Sequence, residues 1–229
     1  KILFEKLAVK RPEFIEPEND PIAKIAKIKP AVEEKPLREI NTAITGTSAS
    51  QKLEELLTNL KSLDINALLI TKLDEIAYLT NLRGYEIPYS SAFRAKAFVA
   101  EDKCHLFLNL NSLPQNLNFG KDFVFHSEKE FEKFLMKIKS KKSLTVGFDK
   151  TSSSLAHIRL LQKTSFNLKE FDSNPIAQMK SVKNSSELEH LKDCFLKTDI
   201  AVSRAVAFVN KAVEKGEKIS EKDFSQKVK

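Results

Sequence analysis

The chain is predicted to be an α/β protein whose mixed sheet is flanked by helices, and three observations predict it. Apolar runs such as Ala67-Leu68-Leu69-Ile70 and Leu144–Phe148 have strand length and are too short for a buried helix. Between such runs lie helical stripes, among them Leu53, Leu56, Leu57, Leu60 and Leu63, then Phe131, Phe134, Leu135 and Ile138. Finally, Ala95–Ala100 and Cys104–Asn109 flank the turn Glu101-Asp102-Lys103, a hairpin within an otherwise alternating order.

Residues 1–45 read as a connector, the tail of whatever precedes the α/β domain. Lys1–Val9 is expected to close a helix that Arg11-Pro12 stops, because proline lacks a donor and restricts its predecessor. Pro17 to Pro36 is rich in Pro, Lys, Glu and Asn, with alternating Ile22, Ile25 and Ile28, and is expected to be extended. The α/β domain occupies 46–175. Ser48 and Gln51 form a capping box ahead of the leucine stripe, and a strand over 67–71 follows. Thr71 is placed to cap the next helix, with Asp74 at the capping-box position and Leu73, Ile76 and Ala77 on one face. Asn81 and Gly84 tolerate positive φ and are expected to stop that helix and present Arg83. Tyr85–Ser91 is a loop.

After the hairpin, a polar loop with Pro114 and Gly120 leads to the strand Phe123-Val124-Phe125. Ser127 and Glu130 cap the phenylalanine-bearing helix, and a helix near Ser154–Lys163 and a strand near Phe166–Phe171 complete the domain at Asn174-Pro175. Residues 176–229 are a helical extension. Asn184 and Glu187 cap a long helix bearing Leu188, Leu191, Phe195, Val202, Val206, Val209 and Val213, which ends at Gly216. Ser220 and Asp223 start another.

Composition narrows the function classes. The 229 residues carry a net charge of +7, with 41% hydrophobic residues and 16 Phe, enough for a core. Lys and Arg outnumber acids only 9 to 8 over residues 1–45, 18 to 15 over 46–175 and 11 to 8 over 176–229. A nucleic-acid protein would concentrate that charge, so no nucleic-acid partner is expected. No apolar run approaches the roughly 18 residues of a membrane span, and no secretory signal is seen, so no membrane partner is expected. Cys104 and Cys194 lie far apart without metal spacing and read as structural thiols of a cytoplasmic protein. Because the chain starts at Lys1 and stops within a helical pattern, it is expected to be a piece of a longer protein.

Local chemistry is sparse. His105, His126, His157 and His190 make no metal site by spacing, and Glu187 with His190 at i, i+3 reads as a solvated helix face. No HExxH, GxSxG, P-loop or GxGxxG occurs, and Ser152-Ser153-Ser154 reads as a helix start. Hence no catalytic residue and no metal ligand is assigned within this chain.

The stretch Leu73-Asp74-Glu75-Ile76-Ala77-Tyr78-Leu79-Thr80-Asn81-Leu82-Arg83-Gly84 resembles the signature of the second domain of three-domain Xaa-Pro aminopeptidases, in the creatinase superfamily. The run Met179–Glu189 likewise resembles the opening of that family's pita-bread catalytic domain, a lysine-rich strand and a long helix. The resemblance implies a creatinase N-terminal-like fold and a parent metallo-exopeptidase that removes the residue preceding a penultimate proline. It implies two divalent metals, commonly manganese, held by two Asp, one His and two Glu beyond this chain, so that this piece would be inactive. It also implies dimerisation through the catalytic domain. Arg83 becomes a candidate for contacting substrate carboxylate or backbone through its forked donors, or else for pairing with Glu86 or an N-terminal carboxylate, and Tyr85 and Tyr89 are candidates for a pocket rim. The alternative is a non-enzymatic peptide- or histone-binding module of the same superfamily.

Overall fold

A computed structural model describes residues 35–114, 119–139, 144–171 and 174–228. The expected helix at Lys1–Val9 and most of the connector lie outside these residues. Six strands form one mixed sheet: β2 (Ala67–Ile70), β4 (Ala95–Ala100), β5 (Lys103–Leu108), β6 (Phe123–Ser127), β7 (Thr145–Phe148) and β8 (Asn167–Glu170), in the order β6-β5-β4-β2-β7-β8. β4 runs antiparallel to β2 and β5, whereas the β2–β7, β7–β8 and β5–β6 pairs are parallel. The hairpin turn is tighter than expected. Glu101 and Asp102 both adopt positive φ, so two residues suffice and β5 begins at Lys103.

Side chains alternate across this sheet. Leu68 and Ile70 of β2, Ala97 and Val99 of β4 and Leu106 and Leu108 of β5 enter one apolar cluster. Ala67 and Leu69 of β2, Phe98 of β4 and Phe107 of β5 enter the other. The first face is covered by α2 (Ala49–Ser62), α3 (Leu73–Thr80) and α6 (Pro175–Ser181), through Leu53, Leu56, Leu60, Ile76, Ile176 and Met179. The second is covered by α4 (Phe131–Lys139) and α5 (Leu155–Gln162). The result is three layers, as the strand–helix alternation predicts. A single helical turn, α1 (Thr42–Thr45), precedes α2, and a 30-residue helix, α7 (Ser185–Glu214), and α8 (Glu221–Val228) follow α6.

Local caps agree well with the sequence. Ser48 with Gln51, Ser127 with Glu130 and Asn184 with Glu187 form reciprocal capping boxes. Three expectations need correcting. Thr71 does not cap α3: the cap position is Lys72, which makes no side-chain capping bond, and the Thr71 hydroxyl instead meets the Ser152 hydroxyl at 3.2 Å. Asn81 does end α3 in the left-handed region, but Gly84 is not among the glycines with positive φ. Glycine is required there by crowding, because a Cβ would lie 2.6 Å from Phe93 Cβ. The lysine-rich segment expected as a strand is helical through Ser181, because Asn174 caps it, Pro175 occupies the first turn, and Ile176 and Met179 reach the core. Most of the α7 stripe is exposed, with Phe195 at 63% and Val213 at 69%.

Candidate functional site

The segment after α3 is held from three sides. β1 (Arg38–Glu39) pairs antiparallel with β3 (Leu82–Arg83), placing Arg38 opposite Arg83. Asn81 donates through Nδ2 to the Thr47 carbonyl at 2.9 Å. Its Oδ1 accepts from Lys52 Nζ at 2.7 Å, and the same ammonium donates to the Tyr78 carbonyl at 3.1 Å. A buried lysine thus closes the negative end of α3, where orphan carbonyls collect. It also sits 4.0 Å from the centre of the Tyr78 ring.

Lys52 is 2% exposed. Burial brings its pKa down to about 8, against a partial restoring effect of Glu187, with Arg83 adding repulsion. Burial also lowers Arg83, with Glu187 again opposing. Lysine 52 was hidden in the sequence by its neighbours. Its only signal was its position four and eight residues before Leu56 and Leu60, on the buried side of α2.

Arg83 is not the exposed guanidinium expected. It is partly buried, and Nη1 donates to the carbonyls of Ala77 at 2.6 Å and Leu82 at 2.9 Å. Its proposed partner Glu86 instead accepts from the Arg94 amide. Arg83 lines a cavity of about 620 Å³ together with Lys52, Tyr78, Lys183, Glu187 and His190. The cavity lies where α2, α3 and β3 meet the start of α7. Glu187 and His190, read from sequence as a solvated face, are therefore brought to the Arg83 cavity by the fold. Tyr85 and Tyr89 are not among its lining residues. Tyr85 is half exposed with Arg38 over its ring at 5.5 Å, and Tyr89 is exposed on its loop.

A second polar cluster sits at the adjacent carboxyl ends of the parallel strands β2 and β7, where open α/β sheets often place ligands. Lys72 Nζ meets Asp149 Oδ2 at 2.9 Å, and Asn174 Nδ2 donates to both Glu75 oxygens at 3.0 Å. Burial alone would raise the Asp149 pKa, but hydrogen bonds led by Thr151 and Lys72 outweigh it and hold the carboxyl low. For Glu75 burial dominates and the pKa is raised. These groups satisfy one another, so the cluster fastens α6 to the sheet.

Among the described residues, no group of three or more His, Cys, Asp or Glu side chains is arranged to hold a metal ion. Cys104 is buried, with its thiol pushed up to about 12 by burial, and Cys194 is exposed with its sulfur 3.4 Å from His190 Nε2. No described helix is long and apolar enough to cross a membrane.

Residues 28–187 match the Creatinase/Prolidase N-terminal domain profile, well over half of the chain. The chain belongs to this family. A protein named "Probable Xaa-Pro aminopeptidase P" from Coprinopsis cinerea is 27% identical over 207 residues, covering 84% of this chain and 33% of its own length. An uncharacterized peptidase from Schizosaccharomyces pombe is 27% identical over 241 residues, covering 100% of this chain and 38% of its own. The chain therefore spans about a third of the curated relatives it matches. The crystal structure of an X-prolyl aminopeptidase from Caenorhabditis elegans, described as a cytosolic enzyme with a di-nuclear active site, superimposes with a TM-score of 0.81. That alignment covers 92% of this chain and 35% of the other at 22% identity, a likeness of fold.

Proposed function

We propose that this chain is the non-catalytic part of a metal-dependent aminopeptidase that removes the N-terminal residue from peptides with proline at the second position. The observation that carries the reading is the similarity to proteins named as Xaa-Pro aminopeptidases, extending over 84% of the chain in the Coprinopsis case. In this reading residues 46–175 are the creatinase N-terminal-like domain, 176–229 open the catalytic domain, and the parent is a cytoplasmic homodimer.

The parent would carry two divalent metals, manganese in the first instance, which polarise the peptide carbonyl and activate a water. The described residues of this chain do not fit that group, since no three or more of their His, Cys, Asp or Glu side chains converge to hold a metal ion. What this chain supplies is position. Arg83, fixed by backbone carbonyls at the end of α3, is assigned to contacting substrate carboxylate or backbone. Tyr85, displaced from the cavity, keeps at most a rim role.

The test is cleavage of an Arg-Pro-Pro peptide with added manganese, by this chain and by the full gene product. Activity from the full product alone is expected. Turnover by the 229-residue chain, or inactivity of the full product, would overturn the reading.

A further inference from the structure

We propose that Lys52 of α2 is a positioning residue that couples the turn at the exit of α3 to the seating of α7 on the body. The coupling does not depend on the peptidase reading.

Two routes join this lysine to α7, and the first is bonded. The Lys52 ammonium donates to Asn81 Oδ1 at 2.7 Å. Asn81, itself 2% exposed, donates onward to the Thr47 carbonyl at 2.9 Å and the Thr45 hydroxyl at 3.3 Å. The Thr45 carbonyl in turn accepts from Asn184 Nδ2 at 2.8 Å, and Asn184 Oδ1 accepts from the Glu187 amide at 2.9 Å. Neither end of this chain has room to slide. Asn81 is fixed as the left-handed cap of α3, and Gly46, beside Thr45, leaves no space for a Cβ against Asn184.

The second route is electrostatic. Glu187 closes the capping box of α7 by accepting from the Asn184 amide at 3.0 Å, and its carboxylate acts back on Lys52, favouring the charged form. The circuit therefore closes: α7 reaches Lys52 through a charge, and Lys52 reaches α7 through Asn81 and Thr45.

Proton binding is the handle on this circuit. Burial brings Lys52 down to about 8, so it changes charge in mild alkali. Linkage is reciprocal: because the Glu187 carboxylate strengthens proton binding at Lys52, the bound proton strengthens the hold on Glu187 and so on the first turn of α7. Losing the proton also weakens the charge-assisted bonds to Asn81 and to the Tyr78 carbonyl. Of the other groups facing Lys52, Arg83 of β3 repels the ammonium and keeps its own charge. Burial pushes the Tyr78 hydroxyl of α3 up to about 12, so it stays neutral over this range. Further along the cavity wall Asp74 pairs with Lys180, Lys183 donates to the Lys180 carbonyl, and His190 stands beyond Glu187.

The experiment is a carbon-13 NMR titration of the 229-residue chain from about pH 6 to 9.5, reading Lys52 Cε and the carboxamide carbons of Asn81 and Asn184. Lys52 Cε is expected to titrate with a midpoint of about 8, and both asparagine signals to follow with the same midpoint, while the Phe98 carbonyl in β4 stays flat. Glu187→Gln, which keeps a capping-box residue in place, should move all three midpoints down together. Lys52→Met, which keeps the apolar stem and loses the proton, should abolish both asparagine responses. Should Lys52→Met fail to fold, Glu187→Gln decides alone. The coupling is overturned by an Asn184 signal that stays flat or titrates with a midpoint different from that of Lys52. It is equally overturned by midpoints that Glu187→Gln leaves unmoved or raises, by an Asn184 response that survives in folded Lys52→Met, or by a Lys52 that keeps its proton beyond about pH 9.5.

Discussion

The sheet body and the long helix α7 obey the same sequence rule and end differently. In α2, Leu53, Leu56 and Leu60 repeat at helical spacing and are buried to 2% exposure or less. In α7 an equally regular stripe leaves Phe195 and Val213 at 63% and 69%, with Leu196 beside it at 60%, and the helix's buried residues are Ala205 and Ala212. The difference is the partner: α2 lies on a sheet whose β2 strand is buried at every residue, and α7 meets the body mainly at its first turns. Periodicity announces that a face is apolar. It does not say what covers it.

The join between the two regions is small and polar. Asn184 caps α7 through the Glu187 amide at 2.9 Å and donates through Nδ2 to the Thr45 carbonyl at 2.8 Å. Thr45 ends α1, whose left-handed cap is Gly46, and a Cβ at Gly46 would collide with the Asn184 side chain. The start of α7 is thus keyed to a glycine in the body.

The contrast can be broken in four places. Phe98→Ala removes a fully buried ring that packs against Phe134 and Phe166, and should cost about 3–5 kcal/mol in urea unfolding. Leu196→Ala on α7 should change the same measurement by less than about 0.5 kcal/mol; a cost like that of Phe98 would show that α7 is covered in solution.

Gly84→Ala forces a Cβ against Phe93 and should cost about 1–3 kcal/mol, read from the shift in thermal midpoint. Gly84→Ala as stable as wild type would mean that the loop beyond β3 yields. Asn184→Ala removes a cap and the tie to Thr45, and should cost about 1 kcal/mol. Its readout is faster amide exchange confined to the first turn of α7; uniform acceleration across the sheet would contradict a local join.

Acid provides the gentlest probe of the body. His105 Nδ1 and His126 Nε2 lie 3.0 Å apart across β5 and β6, against Phe107 and Phe134, with Glu130 near His126 and Lys103 and Glu101 near His105. Burial, then the neighbouring His126, brings His105 down to about 4, and burial also lowers His126. Below about pH 6.5 the unfolded imidazoles bind protons that the folded ones refuse, so stability should fall from there toward pH 4. His105→Phe should flatten that part of the urea-midpoint profile, and an undiminished slope would reject the pair as its source.

Much of the architecture was present in the sequence because its determinants are local. A capping box spans four residues, a leucine stripe one helix, and an apolar run one strand, so Ser48, Leu56 and Leu68 declare their roles within a few neighbours. The family signature ending at Arg83-Gly84 is likewise contiguous. What only the tertiary structure decided has no such local code. The β1–β3 ladder has two residues per strand, too few for any period, and it fixes the backbone of Arg83 from 45 positions away. Lys52 reaches Asn81, His105 meets His126, and Glu187 comes to the Arg83 cavity only after the layers pack. Each of those contacts joins residues whose separation along the chain carries no information about their distance in space. Burial then decides their charge, and burial belongs to the packed molecule rather than to any stretch of it.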